Sequence, residues 1–407
     1  MDSRFRVPFN QAFSSALYHS YAQELSRRLN TSFDFRLAET PVFVPADLRE
    51  RLVTAAREIM DQLREPARLA RMRTAIPAEW DTPRMDDLPS FSQIDFALVR
   101  LPDGSLAPRL IELQGFPSLT AMQVFMRDVW AESLSGIDGL PESWSCWFGG
   151  FDREGFVELA RRTIAGNHDP ETVILLDLDP PSQKTYPDFV ATKLLFGVDS
   201  ICPTELVKQG GRLWRQSGGR LVPVERIYNR VVFDELVRKR ISLPFDYREE
   251  LVVEWASHPN WYWTWSKYSI PFLEHPAVPK TVFLSDLEEL PDDLSRYVLK
   301  PLFSFSGGGV KVSPNPSDIC AIADAERRSW CLQERVNYEP ALLTPEGAGV
   351  KVEIRMMFLK PDNEPVPVLA QNLCRLSRGL MMGVDYNRDF SWVGASVGLW
   401  PDSAARW

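Results

Sequence analysis

The segment Tyr297-Val298-Leu299-Lys300-Pro301 reads as an apolar strand that delivers a lysine into Leu302-Phe303-Ser304-Phe305-Ser306-Gly307-Gly308-Gly309, after which Val310-Lys311-Val312 resumes a strand pattern. Glycines let a backbone approach a polyphosphate closely, and successive loop N–H groups form an anion-binding nest. Lys300 would place a compact positive charge on phosphate oxygens. The plain alternative is a hairpin turn with an incidental lysine. No Gly-Lys-[Ser/Thr] opens a helix here, so the loop is not a Walker A phosphate loop.

Far upstream lies a second set, Ile94-Asp95-Phe96 and Leu110-Ile111-Glu112-Leu113-Gln114, separated by the turn signal Pro102-Asp103-Gly104. Residues two apart on a strand share a face, so Glu112 and Gln114 point together, and pairing across the turn lets Asp95 join them. Two carboxylates and an amide oxygen make a hard-oxygen set suited to Mg²⁺, which usually keeps substrate phosphates among its ligands. The competing reading is a solvent-facing hairpin with ordinary surface acids.

Other side chains weigh less. Trp255, Trp261, Trp263 and Trp265 cluster with Tyr262 around His258-Pro259-Asn260. Such rings can stack sugars or bases, but packing is the default for tryptophan at this density. Arg226-Ile227-Tyr228-Asn229-Arg230 is either a basic rim to a cleft or a surface strand paired with nearby acids. No GxSxG elbow supports a hydrolase triad.

The elements that must position these residues follow from periodicity. Residues from about 10 to 75 read as helical, with Phe13, Ala16, Leu17 and Tyr21 at helical spacing and Pro45-Ala46-Asp47 opening a second run. The acidic hairpin follows. Thr172 to Asp177, a helix near Asp188 to Phe196 and a strand toward Ile201 form a small α/β unit; Gly210 to Val224 reads as a hairpin turning at Gly218-Gly219. The last part mixes strands and helices. The expected class is α+β, with a site between lobes.

Composition bounds the function. The 407 residues suit two or three domains, with 44% hydrophobic and 25% charged residues, as in ordinary globular chains. Lys and Arg number 46 against 55 Asp and Glu, a net charge of -9, which argues against nucleic-acid or anionic-membrane partners but permits a local basic pocket. Five dispersed cysteines without CxxC fit a reducing cytoplasm, and four histidines without HExxH make a His-based metal site improbable. No signal-peptide h-region follows Met1, and no run approaches the roughly 18 apolar residues of a membrane span. The expected location is cytoplasmic.

Together the two motifs resemble the ATP-grasp ligases. The turn leading into an apolar-Glu-x-Gln strand resembles their magnesium motif, and the Lys-Pro strand with its Ser/Gly loop resembles their nucleotide lysine and phosphate loop. The magnesium motif comes first here, an order similar to the circularly permuted branch that includes eukaryotic glutathione synthetase and bacterial glutathionylspermidine synthetase. The resemblance implies a permuted ATP-grasp fold with an inserted Rossmann-like α/β substrate domain and a helical N-terminal segment. It divides the chain into residues 1–85 (helical segment), 86–135 (magnesium-motif core), 136–245 (substrate domain) and 246–407 (nucleotide-binding lobes).

The resemblance also implies roles. Asp95, Glu112 and Gln114 would hold Mg²⁺. Lys267, Lys300, Ser304, Ser306, Gly307, Gly308 and Gly309 would hold the ATP phosphates, and Gln333 and Glu334 would read the adenine edge. Arg375, with Arg378 as competitor, would face the transferring phosphoryl group. Trp392 to Gly398 resembles the small-residue substrate loop. Glu353 and Arg355, on one face of an alternating strand, read as an ion pair with each other. Two positions depart from the family: Gln114 stands for the usual Asn, and Gln93 stands where glutathionylspermidine synthetases carry Arg. These departures point away from glutathionylspermidine as product. The implied activity is ATP-dependent joining of a small-molecule carboxylate to an amine (amino acid, peptide or polyamine) through an acyl phosphate. A non-catalytic nucleotide- or ligand-binding protein and a phosphotransferase are the alternatives.

Overall fold

A computed structural model describes residues 1–304, 308–383 and 386–402, and the architecture is mixed α+β. The chain opens with helices Ser3–Ala12, Ser15–Leu29, Ala46–Leu63 and Pro66–Met72, as the periodicity predicts. Ala46–Leu63 buries Leu48, Leu52, Ala55, Ala56, Ile59, Met60 and Leu63, a stripe at three- and four-residue spacing. Asp47 in its first turn complements the positive end of the helix dipole.

That stripe shares a core with one face of a six-stranded antiparallel sheet. The strands run Gly394–Ser396, Val368–Ser377, Gly349–Leu359, Phe91–Arg100 and Leu106–Gln114, with Leu342–Leu343 paired to the start of Gly349–Leu359. The early hairpin is therefore built into strands from the end of the chain. Alternation assigns the faces. Ile94, Phe96, Ile354, Met356, Cys374 and Leu376 point into the core. Gln93, Asp95, Glu353, Arg355 and Gln371 occupy the opposite face, and they too are buried. A sheet face carrying charges and yet closed to water needs partners for every charge.

Two further sheets matter. A parallel sheet runs Glu254–Ala256, Arg226–Asn229, Val173–Leu176, Asp199–Ile201, crossed by helix Tyr186–Phe196 as expected for an α/β unit. Its edge strand Glu254–Ala256 lies beyond residue 245 in the sequence. A small antiparallel sheet runs Thr281–Phe283, Trp330–Glu334, Tyr297–Pro301, Lys311–Val312 over its own core of Leu284, Leu294, Leu299, Ile319 and Leu332. The Gly210–Val224 hairpin turns at Gly218 and Gly219, both at positive φ. No helix among the described residues is long and apolar enough to cross a membrane.

Several expectations change. Arg226 to Arg230 forms neither a cleft rim nor a surface strand. Arg226 is buried in the parallel sheet and pairs with Glu254 (2.7 Å) and Asp362 (2.9 Å), while Arg230 pairs with Asp188 (2.8 Å). Residues 394–396 are an edge strand rather than a loop. A Cβ at Gly394 would lie 2.2 Å from the Arg36 carbonyl oxygen, so close packing accounts for that glycine. Trp261, Trp263 and Trp265 are buried, which removes them as a stacking platform.

Candidate functional site

The acidic hairpin forms around Asp103-Gly104, with Gly104 at φ +84°. Asp95 faces Glu112 and Gln93 faces Gln114 across the two strands. The register then slips, so that Phe96 faces Leu110 and Ile111 has no opposite residue. Leu106–Gln114 is the sheet's edge, and an edge exposes backbone groups. Here they are used. Leu110 N–H donates to the Ala277 carbonyl (2.7 Å) and Gly115 N–H to the Trp265 carbonyl (2.7 Å). Those bonds fix the segment between 265 and 277, which carries Lys267. The close approach requires glycine: a Cβ at Gly115 would sit 2.6 Å from the Trp261 carbonyl oxygen.

Lys267 opens a 3-10 helix, Lys267–Phe272, capped by the Ser266 hydroxyl, which accepts from Tyr268 N–H. Its ammonium pairs with Glu112 (2.8 Å) and donates to the Ser304 carbonyl. Lys300 arrives from the small sheet. Its ammonium donates to the carbonyl of the bulged Ile111 (3.1 Å) and to Gln333 Oε1 (2.6 Å). Two lysines and two carboxylate-bearing strands, remote in sequence, thus meet at one place.

The sheet face beside them carries a ladder of charges. Arg355, opposite Asp95, grips it through both oxygens at 2.6 and 2.7 Å and donates to Ser118 Oγ (3.0 Å). Arg375 donates to the same Asp95 (2.6 Å) and to Glu353, whose other oxygen accepts from Tyr338 (2.7 Å). The carboxyl groups diverge. Burial would raise Asp95, but Arg355 and Arg375 outweigh it and hold Asp95 below its usual range. Burial likewise opposes Glu112, and Lys267 brings it down. Glu353 is pushed up, burial exceeding the pull of Arg375. Burial lowers Lys300. Arg375 alone of the two guanidiniums reaches solvent, with its side chain 36% exposed against 6% for Arg355.

The predicted residues distribute unevenly. Asp95, Glu112, Lys267, Lys300 and Arg375 are brought together, and the Ser304 backbone joins them. Gln114 sits one step along the hairpin, its Oε1 buried and without a hydrogen-bond partner among the described residues. Arg378 is elsewhere; its guanidinium lies over the Phe390 ring (5.3 Å). Gln333 turns its side chain to partners within the protein. Its strand lies between two others, its Oε1 takes Lys300 and its Nε2 donates to Thr281 Oγ1 (3.1 Å). Glu334 offers its N–H to the Lys280 carbonyl (2.8 Å). Gly308 and Gly309 are exposed, Gly309 at φ +74°; Ser306 and Gly307 lie outside the described residues. Glu353 and Arg355 do not pair with each other but with Arg375 and Asp95 on neighbouring strands. Arg355, Tyr338 and Ser118 were not singled out as site residues from sequence. The alternation of 351–355 showed which face Arg355 occupies, but nothing local names its partner.

As a site for a divalent cation the set is divided. Glu112 and Gln114 keep oxygen donors, and the unpartnered Gln114 oxygen suits a ligand role. Asp95 does not fit, because guanidinium groups hold both of its oxygens. Among the described residues, no group of three or more His, Cys, Asp or Glu side chains could hold a metal ion.

A glutathione synthetase-like effector from Globodera pallida, solved in its apo form, superposes with a TM-score of 0.56 at 12% identity over 94% of this chain and 95% of that one. The likeness gives this chain a glutathione synthetase-like fold. No protein-family model matches the chain, and no curated protein matches it.

Proposed function

We propose that the chain is an ATP-dependent carboxylate–amine ligase of circularly permuted ATP-grasp architecture. It would form an amide through an acyl phosphate and release ADP and phosphate. The observation that carries the reading is the meeting of Lys267 and Lys300 on the Glu112 strand, at 2.8 Å to the carboxylate and 3.1 Å to the neighbouring carbonyl. Joining two anions calls for charge neutralisation and positioning more than covalent help. In this reading Lys267 and Lys300 hold the phosphates of ATP, and Glu112 keeps Lys267 aimed. The half-exposed Arg375 faces the transferring phosphoryl group, and the turn at Gly308-Gly309 lies over the phosphates. The Mg²⁺ expected from the resemblance keeps Glu112 and Gln114 as its candidate ligands, and no step is routed through it. The substrates would be a small carboxylate and an amine, in a cytoplasmic setting consistent with five cysteines free of disulfides.

Glu112→Gln and Lys300→Ala should each abolish ADP production in a screen of carboxylate and amine pairs, with circular dichroism unchanged. Wild-type turnover in both purified variants defeats the assignment. The commitment of Asp95 to two guanidiniums, with neutral Gln93 and Gln114 beside it, favours a second reading: a nucleotide- or ligand-binding protein that does no chemistry. Phosphate release in a mixed amino-acid and polyamine pool separates the two. A phosphorylated product that accumulates without amide would mark a phosphotransferase.

A further inference from the structure

We infer that the Arg355 guanidinium occupies the place of a divalent cation beside Asp95, so that this face binds a polyphosphate anion without metal. The inference rests on the reading of the face as a triphosphate site. Mg²⁺ demands near-octahedral oxygen ligands and loses its waters reluctantly, so it needs carboxylate oxygens that are free to turn toward it. Asp95 has none: Arg355 takes both oxygens in a fork, and Arg375 takes one again. The fork is closed to water, with Arg355 6% and Asp95 1% exposed, and Ser118 Oγ anchors its third side. Detaching that guanidinium to admit an ion would leave Arg355 as a buried charge without its carboxylate.

The charge balance points the same way. Arg355, Arg375, Lys267 and Lys300 face the carboxylates of Asp95, Glu112 and Glu353, and Glu353 is already shared between Arg375 and Tyr338. The surplus is positive before any anion arrives. Arg375, the exposed member, can turn from its carboxylates to phosphate oxygens while Arg355 still compensates Asp95. Arg355 is thus a positioning residue: it supplies standing positive charge that an ion would otherwise bring.

The test is calorimetric titration of the full chain with ATP and with inorganic tripolyphosphate, each in EDTA and in MgCl₂. The expected result is binding of both in EDTA, no more than about threefold weaker than with magnesium. Binding that is tenfold tighter with magnesium, or present only with it, overturns the inference and leaves the ligase reading standing. Tripolyphosphate binding in EDTA without ATP binding supports the metal-free anion site and defeats the nucleotide reading. Failure of both anions in both buffers defeats the two together. A Mn²⁺ titration by electron paramagnetic resonance adds an independent readout: no tight ion should be lost on Asp95→Asn, and an Asp95-dependent Mn²⁺ site overturns the inference. Arg355→Met, where it folds, should free one Asp95 oxygen and make ATP binding at least tenfold dependent on magnesium. The wild-type titrations decide the matter where it does not fold.

Discussion

Two buried charge clusters sit on two different sheets, and they are finished differently. At the carboxyl end of the parallel sheet, Asp188 accepts from Arg230 (2.8 Å) and from the Met122 N–H (2.9 Å), both side chains are almost fully buried, and Arg230 lies over Phe189. On the antiparallel sheet, four cations face three carboxylates and one guanidinium reaches solvent. Gln93, Gln114 and Gln371 there each keep a buried amide oxygen without a partner among the described residues. The Asp188–Arg230 pair ties the Tyr186–Phe196 helix to the parallel sheet with one carboxylate bonded to one guanidinium, and the buried Asp177 lies beside it. A surplus of charge with an open member and unpartnered oxygens is unfinished until something binds. The surplus charge and the open guanidinium, rather than the residue types, make the antiparallel face the candidate site, since both clusters contain Asp and Arg.

The comparison can be broken first at the scaffold pair. Asp188→Asn takes from the buried Arg230 its hydrogen-bonded carboxylate and should cost about 3–5 kcal/mol in urea unfolding. ATP affinity per folded molecule should not change; a parallel fall in affinity would mean that the two clusters are one.

Asp177, beside the same pair, is pushed up to about 7 by burial despite Arg230. Its folded pKa lies above its unfolded one, so the native state holds the extra proton between about pH 4 and 7. Stability should therefore fall as pH rises through that window, by up to about 1.4 kcal/mol per unit, and level off above it. Asp177→Asn should flatten that slope in melts recorded across pH, and an unchanged slope would assign it to another group.

On the site side the expected effects reverse. Arg375→Gln should cost less stability than Asp188→Asn, because Arg355 still holds both oxygens of Asp95 and Glu353, already pushed up by burial, can take a proton. It should weaken ATP binding tenfold or more, about 1.4 kcal/mol. Loss of stability without loss of affinity would make Arg375 scaffold.

Much of this was legible in the sequence where the signal is local. The Asp103-Gly104 turn set the hairpin, and two-residue alternation put Glu112 and Gln114 on one face; Asp95 reaches that face only through the bulge at Ile111, which no local signal announces. The Lys300 strand is where apolar runs placed it. What the sequence could not supply is the identity of neighbours across a sheet. Arg355 and Asp95 are 260 positions apart, and alternation alone pairs Arg355 with its own strand-mate Glu353. The partners of Gln333 were hidden for the same reason. The residue looks like a free polar edge in an alternating strand, but its register beside Val298 puts it in reach of Lys300. The burial of Arg226 and Arg230 was equally invisible, because their acids come from other segments, at Asp188, Glu254 and Asp362.

The most direct measurement is ATP titration of Lys300→Ala, Arg375→Gln and the double variant, with folding checked by circular dichroism. One lysine comes from the small sheet and one arginine from the large one. If they serve a single triphosphate, each change weakens binding at least tenfold, and the double departs from the sum of the singles by more than about 0.5 kcal/mol. Wild-type affinity in either single variant would contradict the shared site.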